Sequence, residues 1–415
     1  MTSWPIIILG IIFFLVRLPS FSIIPTLPYI NTHNFFRILV IILIFSTFLL
    51  RKENKSEKKN LTIPILVLLF FISQSISVVT TENIQNYILF YKDIIFSVGI
   101  FIVSSIIIGK KNYSFAIRFL ILGTLFNTIL ESFLYTFPVS GKSFFQLFLT
   151  DKSLSYFLFQ ASRYKFFGDS LDETMIPVIL VLISQSKNAI QKNILIGFIL
   201  LIGITCFLSN WRTKFVLFFL SFILSFVFSW NYFKKFLTYF ILICFFSLFV
   251  TKFFGYTGQK TNIFQSLNPF DIENTSTVQT RIDYWKESIV IIKSSPLFGV
   301  GVGNFYDNLS SASQQKSQSD TLNRFKNYIR IEDPHNVFIS VAVNSGLIGL
   351  FIFICLIINM LRLDFLIMKS KNELLKALSI SSWLVIIFLL FNPFTSTPQL
   401  LFFLLRGIIQ GVVSN

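Results

Sequence analysis

Three basic groups stand out for their type and setting. Arg212 lies in Ser209–Lys214 (SNWRTK), a short polar join between two apolar runs. A guanidinium held that close to hydrocarbon costs roughly 2.5–3.5 kcal/mol on insertion scales and is a functional group by default. The other reading is an arginine that snorkels to the interface. Arg281 opens Thr280–Lys293 (TRIDYWKESIVIIK), where Ile282, Trp285, Ile289 and Ile292 recur at helical spacing. Thr280 is expected to cap this amphipathic helix, which should lie on the membrane surface and stop at Ser294-Ser295-Pro296. His335 lies in Glu332–Asn336 (EDPHN). There Asp333 is the expected N-cap and Pro334 the first helical residue, so His335 falls in the first turn. The positive helix end disfavours imidazolium, while Glu332 and Asp333 favour it. An interfacial histidine without a task is the alternative.

Together these groups point to one chemistry. Two guanidinium groups can hold a diphosphate through paired hydrogen bonds. A histidine can orient or deprotonate a hydroxyl. Lys214, Trp285 and Asn336 stand beside them as candidate substrate-binding residues. Arg163 and Lys165 lie in an earlier polar segment (RYKFFG), where ordinary loop charges are one reading. Gly299, Gly301 and Gly303 imitate a dinucleotide fingerprint, but no βαβ pattern surrounds them. A turn that brings backbone close to a ligand or to membrane helices is the better reading. No carboxylate-rich metal site is apparent, no cofactor is expected, and two histidines without a Cys/His cluster argue against a zinc centre. Cys206, Cys244 and Cys355 lie in apolar runs and read as small hydrophobic packers.

The elements that must carry these residues are membrane helices. Apolar residues make up 54% of the chain and charged residues 13%, about half the usual share of a soluble domain. Mean hydropathy is +0.72. Apolar runs of bilayer-spanning length recur throughout, and they predict about twelve helices, near 4–17, 37–50, 61–79, 88–108, 114–135, 174–186, 194–209, 214–231, 236–254, 336–361, 375–391 and 398–411. The first run lacks a basic flank and a small-residue cleavage site, so it reads as a helix and not a leader. Short basic segments at Arg51–Lys59, Lys110-Lys111, Lys187 with Lys192, Lys234-Lys235 and Arg362–Lys371 follow even-numbered helices. They place those loops and both termini in the cytoplasm. This scattering of the +16 net charge also argues against a nucleic-acid partner, which would gather it on one face. The chain divides into helices one to nine (1–254, with an outer loop at about 136–173), a large outer loop (255–335) and the last three helices (336–415). The two outer loops carry four and eight residues of each charge sign, and a loop near 80 residues is long enough to have its own task.

The order of Arg212, then Arg281 with Trp285 one turn on, then Pro296–Phe305 (PLFGVGVGNF), then His335-Asn336 and Gly346–Gly349 (GLIG) resembles the bacterial O-antigen ligase and O-antigen polymerase superfamily. The motifs cover about 205–350 and the helix pattern covers the whole chain. The resemblance implies an all-α, polytopic, GT-C-like membrane protein in the bacterial inner membrane, with its active site facing the periplasm. It implies a metal-independent inverting glycosyltransferase whose donor is a glycan on undecaprenyl pyrophosphate. Arg212 and Arg281 would bind the pyrophosphate, His335 would activate the acceptor hydroxyl, Arg163 and Lys165, in a segment similar to one of the family, would contact pyrophosphate or glycan, and a chain-length regulator would be a possible partner. The Pro296–Phe305 run is closer to repeat-unit polymerases than to ligases. A polymerase extends a lipid-linked repeat unit; a ligase moves the glycan onto lipid A–core.

A transporter or flippase is the rival from another class. Arg17, Lys92, Asp93, Arg118 and Glu131 interrupt apolar stretches as a transport path would require, yet no internal repeat is visible.

Overall fold

The computed structural model describes residues 4–16, 37–44, 61–136, 171–208, 212–225, 238, 241, 272–310, 333–394 and 396–414. The described residues are helical, without strands. The helices are α1 (Trp4–Val16), α2 (37–44), α3 (Thr62–Ile76), α4 (Ile84–Ile107), α5 (Tyr113–Thr136), α6 (Ile176–Gln185), α7 (Ala189–Leu208), α8 (Arg212–Ser225), α9 (Ile272–Ser294), α10 (Val337–Met368), α11 (Glu373–Leu389) and α12 (Ser396–Ser414). Hydrocarbon offers the backbone no partners, so a spanning chain must satisfy its own N–H and C=O groups, and helices do this within one segment. Six stretches are long and apolar enough to cross a membrane: Thr62–Thr80, Ile84–Ile107, Tyr113–Ser132, Ala189–Cys206, Val337–Met368 and Thr397–Ser414. Pro5–Val16 and Thr213–Ser225 are apolar but shorter. The span expected at 236–254 lies outside the described residues, apart from two isolated positions.

Small residues and caps set the packing. α12 lies against α4 through Gly407 and Gly411, where an added Cβ would come within 2.8 Å of the Phe101 carbonyl and 2.5 Å of the Ile108 carbonyl. This small-x-x-x-small spacing is how membrane helices approach closely without a hydrophobic drive between them. Asn83 caps α4 by accepting from Asn86 N, and Asn372 caps α11 by accepting from Leu375 N. At one end of the bundle Asn372 Nδ2 donates to the Tyr113 hydroxyl at 3.1 Å. At the far end of α11, Asn336 Nδ2 donates to Leu390 O at 3.2 Å. α5 leaves the Tyr113 end, so Glu131, about 27 Å along it at ~1.5 Å per residue, belongs to the same end as Asn336.

Two helix starts differ from expectation. α9 begins at Ile272, so Thr280 is an interior residue and not its cap. Among its described side chains Tyr284, Ser288 and Ile291 are buried, whereas Ile282 and Ile289 are exposed; the buried stripe is rotated from the one expected. α10 begins at Val337 with Asn336 as its cap, accepting from Phe338 N and Ile339 N. Asp333 and Pro334 therefore precede the helix.

Candidate functional site

Arg281 and His335 come together where α9 packs on the start of α10. The Trp285 indole donates from Nε1 to Pro334 O at 2.8 Å, which pins the segment before His335 to α9. The Tyr284 ring sits 6.2 Å from the His335 ring and edge-on to Phe305 at 5.6 Å. Asp333 Oδ1 accepts from His335 N and from Ser340 Oγ, each at 2.8 Å. The carboxylate meant to cap the helix thus holds the residue outside it. His335 sits at φ +57°. The left-handed region is strained for a residue with a side chain, and such strain gathers at functional sites.

The surroundings of His335 favour the neutral imidazole. Burial first, and the Arg281 charge second, push the His335 imidazole down to about 4. The ring is therefore neutral near pH 7. Its Nδ1 is buried without a hydrogen-bond partner among the described residues. His335 directly precedes the Asn336 cap, and Glu332 lies outside the described residues.

The glycine-rich run is the scaffold that joins the two elements. α10 breaks at Gly346 (φ +69°, ψ −170°), which frees backbone groups on both sides of the break. The Pro296–Gly301 turn satisfies them. Val300 N donates to Val343 O at 2.9 Å, Gly301 N to Asn344 O at 3.1 Å, and Leu347 N to Pro296 O at 2.8 Å. The fit leaves no room for a side chain: a Cβ on Gly299 would lie 2.3 Å from Val343 O, and one on Gly346 would lie 2.2 Å from Leu297 O. The run also touches the α3–α4 connection, where a Cβ on Gly301 would lie 1.8 Å from Thr81 Oγ1. The close approach expected of these glycines is thus to membrane helices. Asn304 extends the join: its Oδ1 accepts from Asn83 N, and Asp307 Oδ2 accepts from the side chains of Asn83 and Asn86.

Not every candidate joins the pair. Arg212 is the first residue of α8, and its side chain lies outside what is described. Arg163 and Lys165 lie outside the described residues. Lys214, expected to meet substrate, is instead turned inward with no exposed surface, because Glu131 and Glu173 hold its ammonium inside the bundle. Cys206 is buried as expected, but it is more than a hydrophobic packer: its Sγ lies 3.1 Å from Glu173 Oε1. Sequence reasoning missed these acidic partners and the structural role of Ser340. The signal available for the first was a lysine three residues into an apolar helix, which calls for a buried counter-charge.

Residues 196–354 match the family model described as O-antigen ligase. That interval holds α8, α9, the glycine-rich run, His335 and the break in α10, and it agrees with membership of the O-antigen ligase/polymerase superfamily. No curated protein matches the chain.

Proposed function

We propose that this protein is a polysaccharide polymerase of the inner membrane, with about twelve spans in a GT-C-like arrangement. It transfers a growing O-antigen or capsule glycan from undecaprenyl pyrophosphate to a lipid-linked repeat unit at the periplasmic face. The observation that carries the reading is the neutral His335 held beside Arg281, inside the stretch that matches the family. The Arg281 guanidinium, with Arg212, binds the pyrophosphate and stabilises its charge as the anomeric C–O bond breaks. The acceptor hydroxyl oxygen attacks the anomeric carbon from the opposite face and inverts it, while its proton passes to His335. An imidazole pushed down to about 4 is a weak base in the empty site. Bound pyrophosphate would offset the Arg281 charge and raise the proton affinity of His335, so the base strengthens once the donor is in place. Arg163, Lys165, Trp285 and Asn336 are proposed to line the path of donor and acceptor. The reading needs no metal, and a chain-length regulator is its proposed partner.

The matched family's description favours a second reading, a ligase that moves the glycan to lipid A–core. One experiment tests both. Arg212, Arg281 and His335 are replaced singly by Ala in the native host, and long-chain glycan is examined on gels. Loss of long chains in each variant is expected, and wild-type amount and modal length in all three would remove the enzymatic reading. A deletion strain whose core carries a single repeat unit marks a polymerase. A bare core with accumulating lipid-linked polymer marks a ligase.

A further inference from the structure

A second group of charges lies at the same end of the bundle and takes no part in the chemistry above. Lys214 Nζ is 2.5 Å from Glu131 Oε1 and 3.9 Å from Glu173 Oε1, and all three side chains are at most 1% exposed. Asp172 Oδ2 accepts from Asn127 Nδ2 at 2.9 Å and from Thr128 Oγ1 at 2.7 Å. Ser221 Oγ donates to Glu173 O at 2.8 Å, and Cys206 Sγ lies 3.1 Å from Glu173 Oε1. The cluster thereby ties α5, α7 and α8 to the 172–175 turn. Leu171, just before that turn, is held at φ +52°, the only positive φ besides His335 among described residues other than glycine.

Stability alone does not account for such a cluster. Apolar side chains of the same volume are often as stabilising as a buried ion pair, or more so. A buried ionic set does fix geometry, because each partner leaves the others one arrangement. The element it fixes is the first turn of α8, which begins at Arg212, two residues before Lys214. The first turn of a helix lacks intrahelical acceptors for its N–H groups and frays easily. An arginine rooted in a frayed turn cannot keep a phosphate-binding geometry, for which tolerances of about 0.5 Å apply.

We propose that Lys214, clamped by Glu131 and Glu173, is a positioning residue for Arg212: it locks the first turn of α8 and so fixes the point from which the guanidinium reaches the diphosphate. The proposal rests on the reading of Arg212 as a diphosphate ligand. Lys214 then acts through Arg212 and not on the substrate, because its ammonium is already engaged by carboxylates. The ion cluster, the strained Leu171 and the catalytic end of the bundle become one device.

The test uses the full-length chain purified in detergent, with Lys214→Met, Lys214→Arg and the milder Glu131→Gln. Hydrogen–deuterium exchange of the amides at 212–217 reads the clamp directly, and transfer kinetics read its consequence. Lys214→Met and Glu131→Gln should speed exchange in that segment. They should lower kcat for donor turnover by roughly 10- to 100-fold, the cost typical of a displacement near 1 Å, with little change in acceptor KM. Lys214→Arg should recover most of the activity. If Lys214→Met fails to fold, Glu131→Gln alone decides. Exchange at 212–217 at the wild-type rate, or faster exchange with unchanged donor kinetics, would overturn the proposal. Absence of glycan transfer by the wild-type chain sinks the proposed function instead, and the exchange data still report whether the clamp exists.

Discussion

Gly346→Ala should separate the two halves of the site. At φ +69° and ψ −170° a residue occupies a region that is open essentially to glycine alone, so an alanine there costs about 1–3 kcal/mol in backbone strain. Its Cβ would also lie 2.2 Å from Leu297 O, 2.3 Å from Leu297 C and 2.6 Å from Phe298 N. These are backbone atoms, so the Pro296–Gly301 turn has to back away. Three hydrogen bonds then fail, from Val300, Gly301 and Leu347. At about 0.5–1.5 kcal/mol each, the total loss is about 3–7 kcal/mol. The control is Gly197→Ala in α7, where an added Cβ meets nothing within 4 Å. A helical Gly→Ala change without a clash is neutral or slightly stabilising. Thermal unfolding in detergent, followed with transfer activity, reads both. Gly346→Ala should unfold many degrees earlier and lose most of its turnover, because α10 and the turn no longer hold Arg281 against His335. Gly299→Ala strikes Val343 O from the opposite side and should cost a similar amount, with the double variant less than additive. If Gly346→Ala unfolds with the control and keeps wild-type turnover, the turn does not lock the break and the coupling argued above is wrong.

Two further predictions follow from charges. As the proposed base His335 must be neutral, a form that prevails above about 4, so the acid limb of kcat/KM should lie well below 6.5. The limb of kcat, which reports the donor complex, should lie higher, and Arg281→Gln should raise the limb of whatever activity survives. Because the folded value is below the unfolded one, the stability contributed by this group is complete above about 6.5 and is lost as pH falls toward 4. A wild-type kcat/KM limb at 6.5 would show that neither burial nor Arg281 acts on the ring. At the other charge pair, Arg406 Nη1 donates to both Asp364 oxygens at 2.9 and 2.7 Å while its guanidinium packs 4.9 Å from the Trp383 ring. Asp364→Ala strands a buried cation and should cost about 3–5 kcal/mol in thermal stability, whereas Asp364→Leu with Arg406→Met should restore most of it. Equal melting of Asp364→Ala and wild type would refute this.

The sequence reveals the body of the helices better than their ends. The run at 114–135 became α5 at Tyr113–Thr136 because hydrocarbon forces an apolar stretch into a helix of bilayer length. Ends depend on rarer events. Both Asp333 and Asn336 are good caps by type, and nothing local chooses between them. The choice comes from α9: Trp285 holds Pro334 O and the tilted Tyr284 ring lies 6.2 Å from that of His335, which leaves His335 at positive φ and hands the cap to Asn336. The same contacts make the imidazole neutral, so the state of the proposed base was legible only once α9 and α10 were seen together. Arg281 and His335 were readable as residues; their mutual effect was not.

Charges inside apolar runs show the limit most clearly, because each is ambiguous until its partner is known. Asp93 and Glu131 interrupt apolar runs as a transport path would require. Asp93 accepts from Arg37 at 2.9 Å, and Glu131 holds Lys214, with no more than 1% of either side chain exposed in the second pair. Burial against its counter-ion closes Glu131 to a substrate, whereas the Arg37 and Asp93 side chains stay 21% and 17% exposed. The sequence separation of 83 positions between Glu131 and Lys214 hides that closure from any local pattern. Once the pair is seen, the charge that spoke for transport speaks instead for a fixed first turn of α8. On the reading proposed above it fixes the root of Arg212, and that returns the weight to the proposed transfer chemistry at this end of the bundle.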